Sequence, residues 1–589
     1  MKGIKFMLSA VLIALSVSVS AQNITVKGTV KDAQTGDPVP AAAVMIDGST
    51  SGVVTDFDGA YSIAVASDGV LVFSSIGYET MQVEVKGQKT INVELTPSCE
   101  FLDETLVVAY GTAKKSSYSG SASMVRSEDL MQNPVSSVEQ ALQGKVAGLQ
   151  VSTASGQPGA TTSFRIRGTG TLNASAEPLY VIDGVATTSA SYSPMASDVS
   201  NDASIMATIN PQDIESITVL KDAAAASLYG SRAANGVVII TTKSGKSGNG
   251  HLNFNAQLGV STTPKQYEMM NSTEYFKMVY DAYRAAGASV ASANSKTISK
   301  ITSNPFNVAQ PFDAQGNLVE GAKVIINTDW QKEVLSPGYT QDYSLSYSGG
   351  SDKVSYFVSG GYFDQKGTAP TARYTRYSGK ATVDAQVNEW VKGGANVIFS
   401  YAQQNAEVSS SSGASPLYNA LTFPNAVPIY KVDSNGNYIL DINGEKQYNW
   451  SNPVARDYNP LATPYMNTNK STTARLFASM YVEAKIFDCL SARTVFSPDY
   501  VGIYDTIYWN KYHGDGPAYG GRGSKNMVTD LMFTSTSTLN FKKNFGQKHS
   551  VSAMAGFEYW QSTRNYFNGT ATNYAFLLHF IGLIPISTT

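Results

Sequence analysis

The sequence predicts a mostly β protein: a small N-terminal β-sandwich, an α+β domain, and then part of a transmembrane antiparallel β-barrel. Three observations predict it. The chain opens with an export signal, and no later apolar run is long enough for a membrane helix. From about Gly250 onward, segments of ten residues or more alternate between apolar and polar side chains. An exported membrane protein without a spanning helix is left with the closed barrel, because lipid offers no partner for an unpaired backbone group.

Lys2 and Lys5 form the positive start of the signal, and Phe6 to Val19 is its apolar stretch. Val19-Ser20-Ala21 supplies the small residues for cleavage, which leaves Gln22 as the mature N-terminus. No Cys comes next, so the cue for a lipid-anchored N-terminus is missing. The 589 residues carry a net charge of -3, with only 15% charged side chains and no basic run. Nucleic acid is therefore a poor partner. The 34 tyrosines, with abundant Gly, Ser, Thr and Asn, favour strands and polar loops. Cys99 and Cys489 exclude a disulfide framework but not an isolated bond.

Residues 22–97 read as strands broken by turns: Ile24–Lys31, Ala43–Asp47, Gly52–Asp56, Tyr61–Val65, Val70–Ser74, Gln82–Lys86 and Thr90–Leu95. That spacing suggests a small sandwich. Asp56-Phe57-Asp58-Gly59 looks like a calcium loop, but the rest of that pattern is absent and an Asp-Gly hairpin turn is the better reading.

Residues 98–115 read as a linker and 116–245 as an α+β domain. Ser136 with Glu139, and Ser137 with Gln140, fit capping boxes for a helix ending near Val146. Val138, Ala141, Leu142 and Val146 would be its apolar face. Asn210-Pro211 is an N-cap and N1 pair, and Asp222 caps an alanine-rich turn that Gly230 ends. Strands are expected at Leu149–Thr153, Ser163–Arg167, Leu179–Ile182, Ser216–Leu220 and Val237–Thr242.

Residues 246–589 carry the alternation. Tyr343, Leu345 and Tyr347 alternate with serines, and after a Gly349-Gly350 turn Val354, Tyr356, Val358 and Tyr362 continue it. Ala381–Val387 and Val391–Tyr401 meet at a tight turn at Asn388-Glu389. Leu476, Ala478, Met480, Val482, Ala484 and Ile486 form one long apolar face, and Val551, Ala553, Ala555, Phe557 and Tyr559 another. Such lengths suit a barrel wall, with short turns in the periplasm and the stretches near 285–340 and 403–470 as outer loops. A large secreted β-sandwich is the alternative.

Four segments of the α+β domain carry a resemblance. They are SVEQALQGKVAGLQV (137–151), FRIRGTGTLN (164–173), PLYVIDGV (178–185) and INPQDIESITVLKDAAAASLYGSRAANGVVIITTKSG (209–245). They closely resemble the plug of SusC/RagA-family TonB-dependent outer-membrane transporters. Residues 22–97 resemble the carboxypeptidase-regulatory-like domain often placed before such plugs. The segment LDETLVVAYGT (102–112) looks like the family's TonB box, in particular Leu102, Asp103, Glu104, Thr105, Leu106, Val107, Val108, Ala109, Tyr110 and Gly111. A mobile β-prone stretch can pair edge to edge with a periplasm-spanning protein and survive pulling.

The resemblance implies a barrel of about 22 strands around the plug. It implies TonB with its inner-membrane energising complex as one partner and a SusD-like surface lipoprotein as another. The wall would meet outer-membrane lipid, and the cargo would be a bulky nutrient, most simply an oligosaccharide, with peptide as the other class. The N-terminal domain and TonB box would lie in the periplasm. Tyr418, Tyr430, Tyr438 and Tyr448 would stack on sugar rings or serve as loop packing. About nine strands come after Gly250, fewer than half of what such a barrel needs, so the chain reads as a C-terminally incomplete transporter. A non-transporting receptor or adhesin, or an inactive remnant, is the other reading.

Chemistry for catalysis is scarce. His251, His513, His549 and His579 show no metal-ligand spacing. Gly245-Lys246-Ser247 ends like a phosphate loop but lacks its first Gly, and Gly168-Thr169-Gly170 lacks the third Gly of a dinucleotide fingerprint. No enzyme, cofactor or metal is expected.

Overall fold

The computed structural model describes residues 23–574, except 34, 48, 50, 76, 97–104, 109–110, 115–120, 132–134, 154, 172–175, 188–203, 223–226, 264–265, 407–413, 455–456 and 546–548. The signal segment and Cys99 therefore lie outside the described residues. The chain divides into two compact units, one at the N-terminus and one holding nearly everything after Ser119.

The first unit is the expected sandwich. Its strands are β1 (Asn23–Asp32), β2 (Ala43–Ile46), β3 (Gly52–Val54), β4 (Ala60–Ala66), β5 (Val70–Ser74), β6 (Met81–Glu84) and β7 (Val93–Leu95). They form two sheets, ordered β4-β1-β7 and β3-β2-β5-β6. Alternate residues of β4, Tyr61, Ile63 and Val65, point into one core with Val26, Val44, Leu71 and Phe73. Gly28 is obligatory on β1: a Cβ there would fall 1.7 Å from the Ile91 carbonyl oxygen. The Asp56 segment is a turn. Asp56 Oδ1 accepts from the backbone of Asp58 and Ala60, and Gly59 takes the positive φ of 71° that closes it.

The next element is a short ribbon, β8 (Thr105–Val108) with β9 (Gly111–Lys114). The α+β domain is built on β10 (Ala122–Arg126), β11 (Leu149–Thr153), β12 (Thr162–Ile166), β13 (Leu179–Ile182), β14 (Val185–Thr187), β15 (Ile214–Leu220) and β16 (Val237–Thr242). Its sheet runs β10-β15-β16-β13-β14, parallel only between β13 and β16, while β11 and β12 form a separate hairpin. β15 and β16 are buried at nearly every position, inward and outward alike, because both faces of the sheet are covered.

The helix expected to reach Val146 is a single turn, Val138–Ala141. Gly144 at φ 75° and Gly148 at φ 75° break the chain beyond it into turns. Its start is as expected, for Ser137 Oγ accepts from the Gln140 N–H, and Val138, Ala141, Leu142 and Val146 are all buried. The Ser136 hydroxyl departs from a capping box by reaching the Gln140 side chain. The alanine-rich turn after Asp222 lies outside the described residues. Asp222 itself accepts the Ser121 N–H at 2.6 Å and pairs with Arg167, tying the two ends of the domain together.

The rest is one nine-stranded antiparallel sheet in strictly sequential order. Its strands are β17 (Gly248–Ser261), β18 (Gly338–Gly350), β19 (Val354–Lys366), β20 (Arg373–Gln386), β21 (Val391–Asn405), β22 (Thr468–Phe487), β23 (Leu490–Trp509), β24 (Arg522–Phe545) and β25 (His549–Thr572). Length, order and patterning are those of part of a barrel. Short turns gather at one end. The Gly349-Gly350 turn is displaced: both glycines continue β18, and Ser351 Oγ caps the turn by accepting from Lys353 and Val354. Asn388 Oδ1 does the same for Trp390 and Val391. Long segments gather at the other end and contain helices Ser272–Ala285, Val290–Ile301, Trp330–Val334 and Pro416–Thr422 around a second aromatic core.

Candidate functional site

The two faces of the nine-stranded sheet differ completely. On β22, Leu476, Met480, Val482 and Ile486 are exposed, whereas Phe477 between them is buried. Period-two geometry sends every second residue inward, so Phe477 joins Ile398, Val501, Ile503 and Val528 against Val138, Phe164, Ile217 and Ile240 of the α+β domain. Register on the outer face aligns Tyr343, Tyr362, Tyr377 and Tyr401 across four consecutive strands. Such a tyrosine row suits a membrane interface, where an aromatic body meets lipid and its hydroxyl meets water.

Around the apolar seam the contacts are polar. Arg376 of β20 is 1% exposed and donates to the carbonyls of Ala207 at 2.8 Å, Ser136 at 3.1 Å and Ile209 at 3.2 Å. It also reaches Asn210 Oδ1 at 3.4 Å and lies 5.3 Å from the Phe363 ring. Local sequence explains why carbonyls collect there. The 3-10 turn Met206–Thr208 leads at once into another, Pro211–Asp213, which Asn210 caps, and short helical turns leave their last carbonyls unsatisfied. Tyr374 adds its hydroxyl to the Ala207 carbonyl at 2.8 Å.

Two acidic side chains of the α+β domain complete this zone. Asp213 accepts from Ser359 Oγ at 2.5 Å, and Asp183 accepts from Thr242 and from Asn396 Nδ2 at 2.6 Å. Burial pushes both carboxyls above the usual range, and these hydrogen bonds with the Lys380 charge oppose the rise. Lys380 itself donates to the Lys243 carbonyl. Further along, Arg475 forms a fork to Asp499 at 3.0 and 2.8 Å, and both are bonded to Thr187 Oγ1.

Between the β11–β12 hairpin, the β13–β14 turn and strands β24 and β25 lies a cavity of about 1150 Å³. Among the described residues no group of three His, Cys, Asp or Glu side chains is placed to hold a metal ion. His251 and His549 stand on β17 and β25, and His513 stacks on Trp450 at 3.5 Å while bonding Asp457. His579 lies outside the described residues.

Of the segment 102–111, Leu102, Asp103, Glu104, Ala109 and Tyr110 lie outside the described residues. Thr105, Leu106, Val107 and Val108 form β8, and Gly111 begins β9, so the β character expected of it is present. Tyr430, Tyr438 and Tyr448 come together, with Tyr430 and Tyr448 stacked at 5.0 Å and Lys446 lying 3.8 Å above Tyr438. Tyr418 stands on the separate helix Pro416–Thr422. The ring faces of Tyr430 and Tyr448 are thus taken up within their own loop. Arg376, Lys380, Arg475 and Asp499 escape motif reading. Their one sequence signal is a charge at an inward position of an otherwise alternating strand.

A family model described as the TonB-dependent Receptor Plug Domain matches residues 114–237, and a CarboxypepD_reg-like domain model matches residues 26–108. TonB-dependent receptor P26 of Formosa agariphila is 32% identical over 531 residues, covering 88% of this chain and 48% of its own length. TonB-dependent receptor SusC of Bacteroides thetaiotaomicron is 33% identical over 485 residues, covering 80% of this chain and 44% of its own. The solved RagAB peptide importer in the 'open-open' state aligns with a TM-score of 0.64 at 28% identity, over 80% of this chain and 50% of that one. The chain spans about half the length of the relatives it matches.

Proposed function

Because this chain is a homologue of the SusC-like TonB-dependent receptors, with their plug domain behind a CarboxypepD_reg-like domain, we propose that it serves TonB-driven import of a bulky nutrient across the outer membrane. The observation that carries this reading is the ring of polar contacts around the apolar seam between plug and wall. A wholly apolar interface would be more expensive to open. Here Arg376, Lys380, Ser359, Asn396 and Arg475 hold the plug through hydrogen bonds that water can replace one for one as the plug moves. Each exchange is nearly balanced, at about 0.5–1.5 kcal/mol per bond.

On this reading the exposed apolar face meets outer-membrane lipid and the long segments form the outer loops. The N-terminal domain and residues 102–111 lie in the periplasm. The outer membrane has no nucleotide supply, so work must arrive by pulling on residues 102–111 from TonB and its inner-membrane complex. A SusD-like lipoprotein is the partner at the outer face. The cargo is an oligosaccharide, with peptide as the competing class, since the similar RagAB is a peptide importer. No reaction is assigned to the chain.

Proline has no N–H to give a strand partner. A cell carrying Val107→Pro with Val108→Pro should still bind cargo at its surface but lose TonB-dependent uptake. Uptake that persists with both prolines, or in cells lacking TonB, would overturn the reading, and binding without any uptake in the wild type would leave a surface receptor in its place.

A further inference from the structure

The cavity of about 1150 Å³ between plug and wall exceeds what a single small ligand needs and has room for a short oligomer. Its lining is rich in hydroxyls, among them Ser163, Ser204 and Tyr180. Its charged lining residues are Glu139, Glu177, Arg232, Asp530 and Arg564. Four of these already have ionic partners within the protein. Glu177 pairs with Arg165, Arg232 with Glu558 at 2.5 Å, and Asp530 with Arg564 at 3.0 Å.

Glu139 is different. It is 4% exposed and lines the cavity; its own backbone N–H and the hydroxyls of Ser137 and Ser204 donate to the carboxyl, yet Oε2 is left without a hydrogen-bond partner among the described residues. A buried carboxylate oxygen without a donor costs several kcal/mol unless it is protonated or meets a cation. No pair of further His, Cys, Asp or Glu ligands stands with it for a metal ion among the described residues. A primary ammonium fits better, because its three N–H donors match one carboxylate and the neighbouring hydroxyl of Ser204.

We propose that Glu139 is the anchor of a cargo subsite in this cavity, and that it recognises a primary ammonium carried on an otherwise neutral oligomer. An amino sugar and a peptide N-terminus both present that group. The proposal rests on the lumen being a cargo passage. Binding needs no TonB, however, so a failure here is distinct from a failure of uptake. In the unliganded protein burial pushes the Glu139 carboxyl up to about 7, as expected of an acid whose counter-charge arrives with the ligand.

The test is a set of titrations of the full chain, purified in detergent, at pH 7. The probes are a glucosamine trimer and triglycine amide, each beside its N-acetylated form. Acetylation removes the charge and changes little else. At least one free-amine probe should bind tenfold or more tightly than its acetylated partner, and the probe that does so identifies the source of the ammonium. Glu139→Gln should abolish that preference, and Glu139→Asp should retain it in weakened form. Equal binding of free and acetylated probes, no binding of either amine, or an unchanged preference in Glu139→Gln each overturns the proposal. The wild-type comparison decides the matter even if Glu139→Gln fails to fold.

Discussion

At the scale of single residues, the seam depends on a few buried charges. Arg376 satisfies three carbonyls, and Arg376→Met would orphan those of Ser136 and Ile209 in a buried site, whereas Ala207 would keep the Tyr374 hydroxyl. Each orphan costs about 1–3 kcal/mol. Amide hydrogen exchange across residues 204–213 should rise by an order of magnitude or more while exchange in the N-terminal sandwich stays unchanged. Protection as in the wild type would show that the plug is held elsewhere. Glu139 makes a prediction of opposite character. Its folded pKa of about 7 lies above the ordinary value of 4.5, so the folded state holds the proton more tightly. Its contribution is complete below about pH 4.5 and is lost as the pH rises through 7. Unliganded protein should therefore melt lower at pH 8 than at pH 5.5. Glu139→Gln should shrink that difference without erasing it, since Asp183 and Asp213 are shifted the same way. A difference as large in the variant would remove Glu139 from the account. Neither residue announces its role in the sequence. Glu139 reads there as one half of a capping box, and Arg376 as a charge in a strand. The register of β20 against the 3-10 turns of the plug places Arg376, and the turn Val138–Ala141 beside the cavity places Glu139.

Elements are far more legible, because a strand's period is local whereas its partners are not. Leu476 to Ile486 marks an apolar face by its alternation alone, and the structure turns that face outward and the interleaved Phe477 inward. Substitutions on β22 should consequently obey parity. Met480→Arg places a charge on the outer face and should cost about 2–4 kcal/mol at mid-membrane depth. Phe477→Ala should cost about 3–5 kcal/mol by opening a cavity against the plug. Folding titrations into lipid vesicles read both. Equal costs for Met480→Arg and Ser479→Arg in vesicles would refute the assignment of faces, since Ser479 is buried on the inner side. Turns are legible where side chains build them. Asp56, Asp313, Asp433 and Asp441 each accept two backbone N–H groups, from residues two and four ahead. Each has a glycine of positive φ three residues on, at Gly59, Gly316, Gly436 and Gly444. The Gly349-Gly350 turn misleads because glycine permits a turn without specifying one, and Ser351 supplies the cap just beyond. The helix to Val146 misleads for a related reason: its apolar spacing is real, but Gly144 and Gly148 break the backbone beneath it.

On the scale of the whole molecule, what matters is where a pull would go. Residues 102–114 lead into β10, and β10 is an edge strand, bonded to β15 on one side only. β15 and β16, by contrast, are interior to the sheet and carry its core, with Ile217, Val219, Val238 and Ile240 fully enclosed. Force applied at the N-terminal side therefore meets the least secured strand first, and five residue pairs from Ala122↔Leu220 to Arg126↔Ser216 stand between the tether and the rest of the plug. If import proceeds by peeling that edge, a covalent clamp across it must stop import without touching the cargo site. Met124 and Thr218 are directly opposed in the antiparallel register, within the span a disulfide can bridge. In a background with Cys99 and Cys489 replaced by serine, Met124→Cys with Thr218→Cys should bind cargo normally and transport none of it until a reductant is added. Unimpaired transport by the oxidised clamp would mean that β10 and β15 travel together, and that the plug leaves its seam as a rigid body through the exchange of the Arg376 and Lys380 contacts for water.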